Sequence, residues 1–482
     1  MPIPVTCKLC HAAFSVKDTL AGKTGKCPRC RALLQVPAAA GLEQAALTEV
    51  ASSRAKPVES ATALMQRILG AFQGDFPCVR RTLRYRVAAL FVTVAMLLLP
   101  VLYVALIGAV LVFLYWHATA NGSLLRGFVI WGVIFLYAGP LIAGTILVFF
   151  MIKPLFARAA KADKGRALPF GREPLLFAFV TRVARAVRAP EPKRIEVDCE
   201  VNASAGFGSL FGHELVLTIG LPLVAGLSVQ QLAGILAHEL GHFAQGGGMR
   251  LSYIIRSVNH WFARVVYERD GWDEALVSWC EDSGRLAPIF YLALFCVWVT
   301  RGILWLFMAL GHTLSCTLLR QMEYDADRYA TRLIGSPAYE ETSRRVAVLD
   351  AATRTANRIL VKCLHRGQFP DDLPFLIAAG AEGMPPGKRR KIEKQLLESK
   401  TGLVDTHPAY PDRLASIRRE KAAGIFHLDQ SAPVLFSDFP KLARTATLDL
   451  YRKLFDKKLK VGDLVPAAAI LATASDDAGL KT

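Results

Sequence analysis

Two histidines four residues apart, His238 and His242, enclose Glu239 in the stretch Leu236-Ala237-His238-Glu239-Leu240-Gly241-His242-Phe243. On a helix, positions i and i+4 share one face, so both imidazoles can be aimed at one metal ion. Glu239 stands beside them, placed to take a proton from a metal-bound water. The pattern is short, and core helices carry it by chance, so its weight depends on its surroundings. A catalytic zinc site takes three protein ligands and leaves one position open. The third could come from any of 40 acidic residues. Glu323-Tyr324-Asp325-Ala326-Asp327 stands out, because Glu323 and Asp327 are themselves i and i+4. One carboxylate can bind metal while the other accepts the free N–H of a ligand histidine and fixes its tautomer. Taken alone, the same stretch also reads as an ordinary acidic helix face.

A second metal pattern lies at the N-terminus. Cys7-Lys8-Leu9-Cys10 and Cys27-Pro28-Arg29-Cys30 flank a polar segment containing Gly22 and Gly25. Two such knuckles predict a zinc ribbon over residues 1–37, with four thiolates around one ion. A site closed in this way is structural. The other cysteines (Cys78, Cys199, Cys280, Cys296, Cys316 and Cys363) have no framework spacing, which suits a reducing compartment. The opening residues Met1–Val5 show no charged segment leading into an apolar core, so no cleavable signal peptide is expected.

Several elements must position the histidines. Their helix opens at Ser228, with Gln231 three residues on as a capping box, and Leu232, Ile235, Leu236, Leu240 and Phe243 supply an apolar face. Upstream, Glu173–Arg188 has helical spacing. Ile195–Val201 alternates and reads as a half-exposed strand, and Glu214–Ile219 reads as another. Downstream, Leu251–Tyr267 is an amphipathic helix carrying Arg256 and Arg264, Leu286–Leu319 is apolar except for Arg301 and His312, and Gln321–Leu333 is helical.

The chain as a whole belongs in a membrane. It is 53% hydrophobic, its mean hydropathy is +0.32, and its net charge is +18 over 482 residues. Val87–Tyr115 and Gly127–Ile152 are apolar runs long enough to span, with Pro100 and Pro140 inside them. Arg80, Arg81, Arg84 and Arg86 crowd the entry to the first, and Lys153, Arg158, Lys161, Lys164 and Arg166 follow the second. The positive-inside rule therefore places the ribbon and everything after Lys153 in the cytoplasm. The basic excess is assigned to these flanks and to anionic lipid, not to nucleic acid. For Glu323 to meet His238, the chain between them must cross the bilayer zero or two times, and both remain open. The domain reading is a ribbon over 1–37, a linker with a basic juxtamembrane cluster over 38–86, and two spans over 87–152. A catalytic domain follows over 153–430 with an apolar insertion at 251–319, and then a helix and tail over 431–482.

H-E-x-x-H preceded by two spans and followed by E-x-x-x-D resembles the HtpX-like membrane zinc metallopeptidases and the related CAAX prenyl proteases, which are gluzincins. The resemblance covers roughly residues 87–420 and implies a zincin-like α+β catalytic domain with a small edge-strand sheet, in a mainly α membrane protein. It makes His238, His242 and Glu323 the zinc ligands, Glu239 the general base and acid, and Asp327 a support for a ligand. Thr406-His407-Pro408 and Arg413 also match: His407 would donate to the oxyanion and Arg413 would brace Asp327. Asn202-Ala203, at the end of the alternating strand, matches an edge-strand pair that would hold extended peptide by β-augmentation. A plain turn asparagine explains Asn202 as well. The function implied is a zinc endopeptidase at the cytoplasmic face of a bacterial-type inner membrane, acting on peptides or membrane proteins in quality control. A catalytically silent, membrane-tethered adaptor that uses the ribbon is the alternative.

Overall fold

The computed structural model describes residues 3–6, 13–16, 23–26, 33–35, 61–77, 79, 83–122, 130–156, 165–207, 214–244, 247–269, 271–282, 284, 287–455 and 458–471. The chain divides into two units, Met1–Arg67 and Ile68–Thr482. In the first, β1 (Ile3–Thr6) pairs antiparallel with β2 (Ala13–Val16), and β3 (Thr24–Lys26) with β4 (Leu33–Gln35). The ribbon cysteines Cys7, Cys10, Cys27 and Cys30 lie outside the described residues.

The second unit opens within α1 (Ala61–Gly70). The sequence reads residues 38–86 as a linker, but Ile68 is fully buried and Phe72 nearly so. Phe72 packs on Phe179 and Phe426, and the Gln73 amide donates to the Ile425 carbonyl at 2.6 Å. The last stretch of the expected linker is thus part of the body.

Apolar composition then dictates long helices. α2 (Leu83–Ala120) continues through Pro100, and α3 (Gly139–Ile152) follows a π-helical stretch, Val133–Ala138. Among the described residues, three helices are long and apolar enough to cross a membrane: Leu83–Ala120, Val133–Phe156 and Ala287–Ile334.

The catalytic body starts with the short β5 (Arg166–Ala167), α4 (Pro174–Val187), β6 (Arg194–Asp198), β7 (Ala203–Phe207) and β8 (Leu215–Gly220). The sheet order is β5-β6-β8-β7, with β6 parallel and β7 antiparallel to β8. Two expectations change here. β6 is buried along its middle, because its Glu196 is neutralised by Arg194 at 2.9 Å. Asn202-Ala203 does not end that strand; it opens β7, a separate edge strand, after a turn at which the Gly220 amide donates to the Asn202 carbonyl.

The histidine helix is α5 (Val229–Gly241). Both bonds of the Ser228–Gln231 capping box are present, at 3.0 and 3.3 Å. Next come α6 (Gly247–Tyr267), α7 (Gly271–Asp282) and α8 (Ala287–Ile334). The sequence separates an apolar segment, Leu286–Leu319, from a helix at Gln321–Leu333; they form the single 48-residue α8. Arg301 and His312 do not break it because both are satisfied laterally, Arg301 by Asp273 and His312 by the Val404 carbonyl. One helix therefore carries both a long apolar face and Glu323. Met96 and Tyr103 of α2, Met151 of α3, Phe262 of α6 and Leu304 of α8 share one buried cluster, so α6 packs inside the same bundle as the three apolar helices. α9 (Ser336–His365) and α10 (Tyr410–Glu420) close the body around the lower half of α8.

Candidate active site

Two glycines on α5 decide how near α8 can come. A Cβ at Gly234 would stand 2.5 Å from Ile334 Cδ1, and one at Gly241 would stand 3.0 Å from Tyr329 Cβ. Without side chains at these positions, the helices approach closely enough for short ligands on each to meet. His238 and His242 face Glu323, and one ligand atom from each of the three residues lies within 4.8 Å of the others. All three are buried.

The distances test whether a metal fits. His238 Nε2 is 3.5 Å from Glu323 Oε2, and His242 Nε2 is 3.6 Å from Glu323 Oε1. Ligands bound at about 2.1 Å in a tetrahedron stand about 3.4 Å apart, so the cage has the size that zinc requires. The donor set of two imidazoles and a carboxylate also suits zinc.

Behind the cage, Asp327 is a hub. Its Oδ1 is 3.1 Å from His238 Nδ1 and accepts from the Tyr339 hydroxyl at 2.9 Å. Arg413 grips the same carboxylate through two donors, Nε to Oδ2 at 2.9 Å and Nη2 to Oδ1 at 2.6 Å. With its Nδ1 held there, His238 turns Nε2 toward Glu323. His242 differs, since its buried Nδ1 has no hydrogen-bond partner among the described residues.

Environment sets the protonation of these groups. Burial works against a charged His238, but its hydrogen bonds to the Asp327 and Glu323 carboxylates push its pKa up to about 10. Burial and the neighbouring charges of His238 and Arg256 hold His242 well below the ordinary imidazole value, so it stays neutral. Burial also raises the Glu239 carboxyl, opposed by the charge of His238. Burial opposes charge on Arg413, yet Asp327 keeps its pKa well above the usual value.

The open side of the site is a cavity of about 320 Å³. Ala205 and Gly206 of the edge strand form one wall, Tyr253, Arg256 and His260 of α6 the other, with His242 at one end. The strand residues facing this space are thus three positions beyond Asn202, which is exposed, while Ala203 is buried. His407 stands at the mouth, largely exposed, with Nδ1 3.4 Å from Glu323 Oε2. The structure therefore gathers His238, Glu239, His242, Glu323, Asp327, His407 and Arg413 into one locus. It leaves Asn202-Ala203 at the base of the strand that borders the cavity.

Sequence reasoning missed two residues. Tyr339 touches both His238 Nδ1, at 3.1 Å, and Asp327. It sits in an ordinary amphipathic helix, and no spacing marks it. Arg256 donates from Nη2 to Glu323 Oε1 at 3.2 Å. Arg256 stands among other polar residues of α6 at helical spacing, Ser252, His260 and Arg264, so nothing in the sequence singled it out.

Peptidase family M48 matches residues 171–421, which include every residue of this locus. Protease HtpX of Chromohalobacter salexigens is 23% identical over 281 residues, covering 57% of this chain and 81% of that protein. No solved structure matches.

Proposed function

The chain belongs to peptidase family M48 and is a membrane metalloprotease, and on that premise we propose that it cuts peptide bonds at a zinc ion held by His238, His242 and Glu323. The observation that carries this reading is the convergence of those three side chains, on two helices, at tetrahedral spacing beside Glu239. Bound there, zinc supplies Lewis acidity, polarising a carbonyl and bringing the pKa of a water toward neutrality.

The chain's own groups do the rest. Glu239, raised by burial, takes the proton from the attacking water and returns it to the leaving amine. His407 reaches over the mouth to donate to the developing oxyanion, a contribution of roughly 3 kcal/mol for a donor so placed. Asp327 fixes the His238 ring, and Arg413 and Tyr339 hold Asp327. Extended peptide lies along β7, the edge strand beyond β8 among the described residues, with its backbone hydrogen bonding to that strand from Asn202 and Ala203 toward Gly206. This mode favours accessible, unfolded segments with weak side-chain selectivity.

Our reading puts the body at the cytoplasmic face of a bacterial-type inner membrane, in a multi-pass chain. Arg84 and Arg86 in the first turn of α2 and Lys153 after α3 support that orientation by the positive-inside rule. The fitting role is degradation of damaged membrane proteins, with the ribbon cysteines Cys7, Cys10, Cys27 and Cys30 holding a second, structural zinc.

Glu239→Gln tests the mechanism. The variant keeps the ligands and is expected to retain wild-type zinc content while hydrolysis of an unfolded protein substrate falls at least 100-fold. Hydrolysis at the wild-type rate would overturn the assignment of Glu239.

A further inference from the structure

His407 rides on the loop that joins the helix Pro386–Leu397 to α10. The base of this loop is closed by Thr401, whose hydroxyl donates to Asp412 at 2.6 Å and accepts from the Ala409 amide at 2.7 Å. Its tip is the turn Gly402-Leu403-Val404-Asp405, drawn tight by the Gly402 amide, which donates to the Asp405 carboxylate at 2.7 Å. The tip rests on α8 through its backbone. Three consecutive carbonyls accept from α8 side chains: Gly402 from Arg320 at 2.9 Å, Leu403 from the Cys316 thiol at 3.4 Å, and Val404 from the His312 ring. The apolar side chains of the turn are left outward, Leu403 91% exposed and Val404 more than half exposed.

The turn lies level with the apolar surface of the long helices. Gly311, next to His312, lies against Met96 and Leu99 of α2, where a Cβ would stand 2.9 Å from Leu99 Cδ1. On either side of that contact, Val94, Leu97, Leu98 and Val101 are exposed on a helix apolar enough to span. Steps of seven residues keep to one face of a helix, and from His312 they lead to Trp305 and Trp298, both more than half exposed. The exposed apolar face of α8 therefore runs on to the turn. One outward leucine on a water-facing loop would need no explanation. The carbonyls are the second observation. Water satisfies the carbonyls of an ordinary surface turn, whereas hydrocarbon offers no donor, so a turn in lipid needs protein donors of the kind that Arg320, Cys316 and His312 supply.

We propose that the Leu403–Val404 turn is inserted in the lipid bilayer, and that this anchor holds His407 over the mouth of the peptidase site. His407 follows Val404 by three residues and is largely exposed, with Nδ1 3.4 Å from Glu323 Oε2. The protein fixes the loop at its base and along its backbone, and lipid supplies the hold on its side chains. Leu403 is thus a positioning residue that acts through His407. This consequence rests on the reading of His407 as the oxyanion donor; the insertion rests on the turn alone.

The zinc-loaded full chain in nanodiscs of phosphatidylcholine bearing a diazirine in its acyl chain tests the insertion. Trypsin releases residues 401–413 as one peptide, after Lys400 and Arg413. After irradiation, mass spectrometry is expected to find lipid adducts on Leu403 or Val404 in that peptide. An unlabelled turn beside a labelled α2 would overturn the insertion, and is the result expected if a second copy of the chain covered the turn instead. Leu403→Asn tests the consequence, with Leu403→Met as the conservative control. Since Leu403 is exposed, neither variant is expected to change zinc content or the thermal midpoint in detergent. In nanodiscs, Leu403→Asn is expected to lose the adducts and to lower kcat for an unfolded protein substrate roughly 10-fold with KM unchanged, and Leu403→Met to keep both at wild-type level. Wild-type kcat in Leu403→Asn would overturn the hold on His407. His407→Ala separates the two readings: adducts on the turn together with an unchanged kcat in that variant would overturn the oxyanion role and leave the insertion standing.

Discussion

Asp327 gathers three side chains behind the ligands. It is 1% exposed and accepts from Arg413, Tyr339 and the His238 ring at once. Asp327→Asn keeps the shape but leaves the Arg413 charge facing a neutral amide, and breaking a buried pair in this way costs about 3 to 5 kcal/mol. Loosening a ligand histidine typically costs 10- to 100-fold in metal affinity. Both losses are expected together, in denaturant unfolding and in competition titration with a zinc chelator; wild-type zinc affinity with normal stability would refute the hub. A pH signature accompanies it. In metal-free protein the His238 pKa is raised to about 10 from an ordinary value of 6.5, so its contribution to stability is complete below 6.5 and fades as pH rises through about 10. The ionisable motif was legible in the sequence, because H-E-x-x-H and E-x-x-x-D are helical repeats whose partners lie one turn away. Tyr339 and Arg256 were not, since each reaches the site from another helix and belongs to no metal-binding motif.

At the scale of elements, the site depends on how closely α5 and α8 pack, and the two glycines at that contact are not equivalent. Beside Gly234, the obstructing atom is Ile334 Cδ1, the end of a flexible side chain. Beside Gly241, which directly precedes the ligand His242, it is Tyr329 Cβ, fixed to the α8 backbone one turn beyond Asp325. Gly234→Ala is therefore expected to be absorbed by a rotamer change, partly offset by up to about 1 kcal/mol of improved helix propensity. Gly241→Ala must push the helices apart at the ligands. It is expected to lower zinc affinity and kcat/KM at least 10-fold where Gly234→Ala changes them less than 3-fold, since ligand cages tolerate displacements of only about half an ångström. Equal effects would show that the ligands are positioned otherwise. The capping box at Ser228 and Gln231 was readable in advance because it is local. The continuity of α8 was not: Arg301 and His312 look like breaks in an apolar run, and only their lateral partners, distant in sequence, explain why the helix runs on. The sequence leaves the place of α6 open, an amphipathic helix with arginines that could cross the bilayer or not, and tertiary packing puts it against the three apolar helices.

At the scale of the whole molecule, the order of the chain ties its parts together. The segment before the first long helix is a strap across the back of the catalytic body. Ile68 and Phe72 enter the core, Arg182 lies over the Phe72 ring at 5.0 Å, and Arg332 donates to the Pro77 carbonyl. Phe76 stacks on Tyr329 with ring centroids 5.8 Å apart, and Tyr329 is the residue against Gly241. The strap therefore supports, from behind, the α8 turn that faces the histidine helix. Tolerance to truncation follows burial and backbone hydrogen bonding. Removing residues 1–60 takes away the four cysteines but leaves the strap, so the shortened chain is expected to keep hydrolysing substrate while its zinc content falls from two ions to one. Removing residues 1–77 strips Ile68, Phe72 and Phe76 as well. Loss of a single buried phenylalanine costs about 3 to 5 kcal/mol, a large share of what holds a domain together, so this chain is expected to unfold or lose zinc altogether. Zinc analysis and hydrolysis assays on the two truncations separate the alternatives. If the longer deletion retained one zinc and full activity, the strap would be a passive tether and the support of α8 would have to come from α9 and α10 alone.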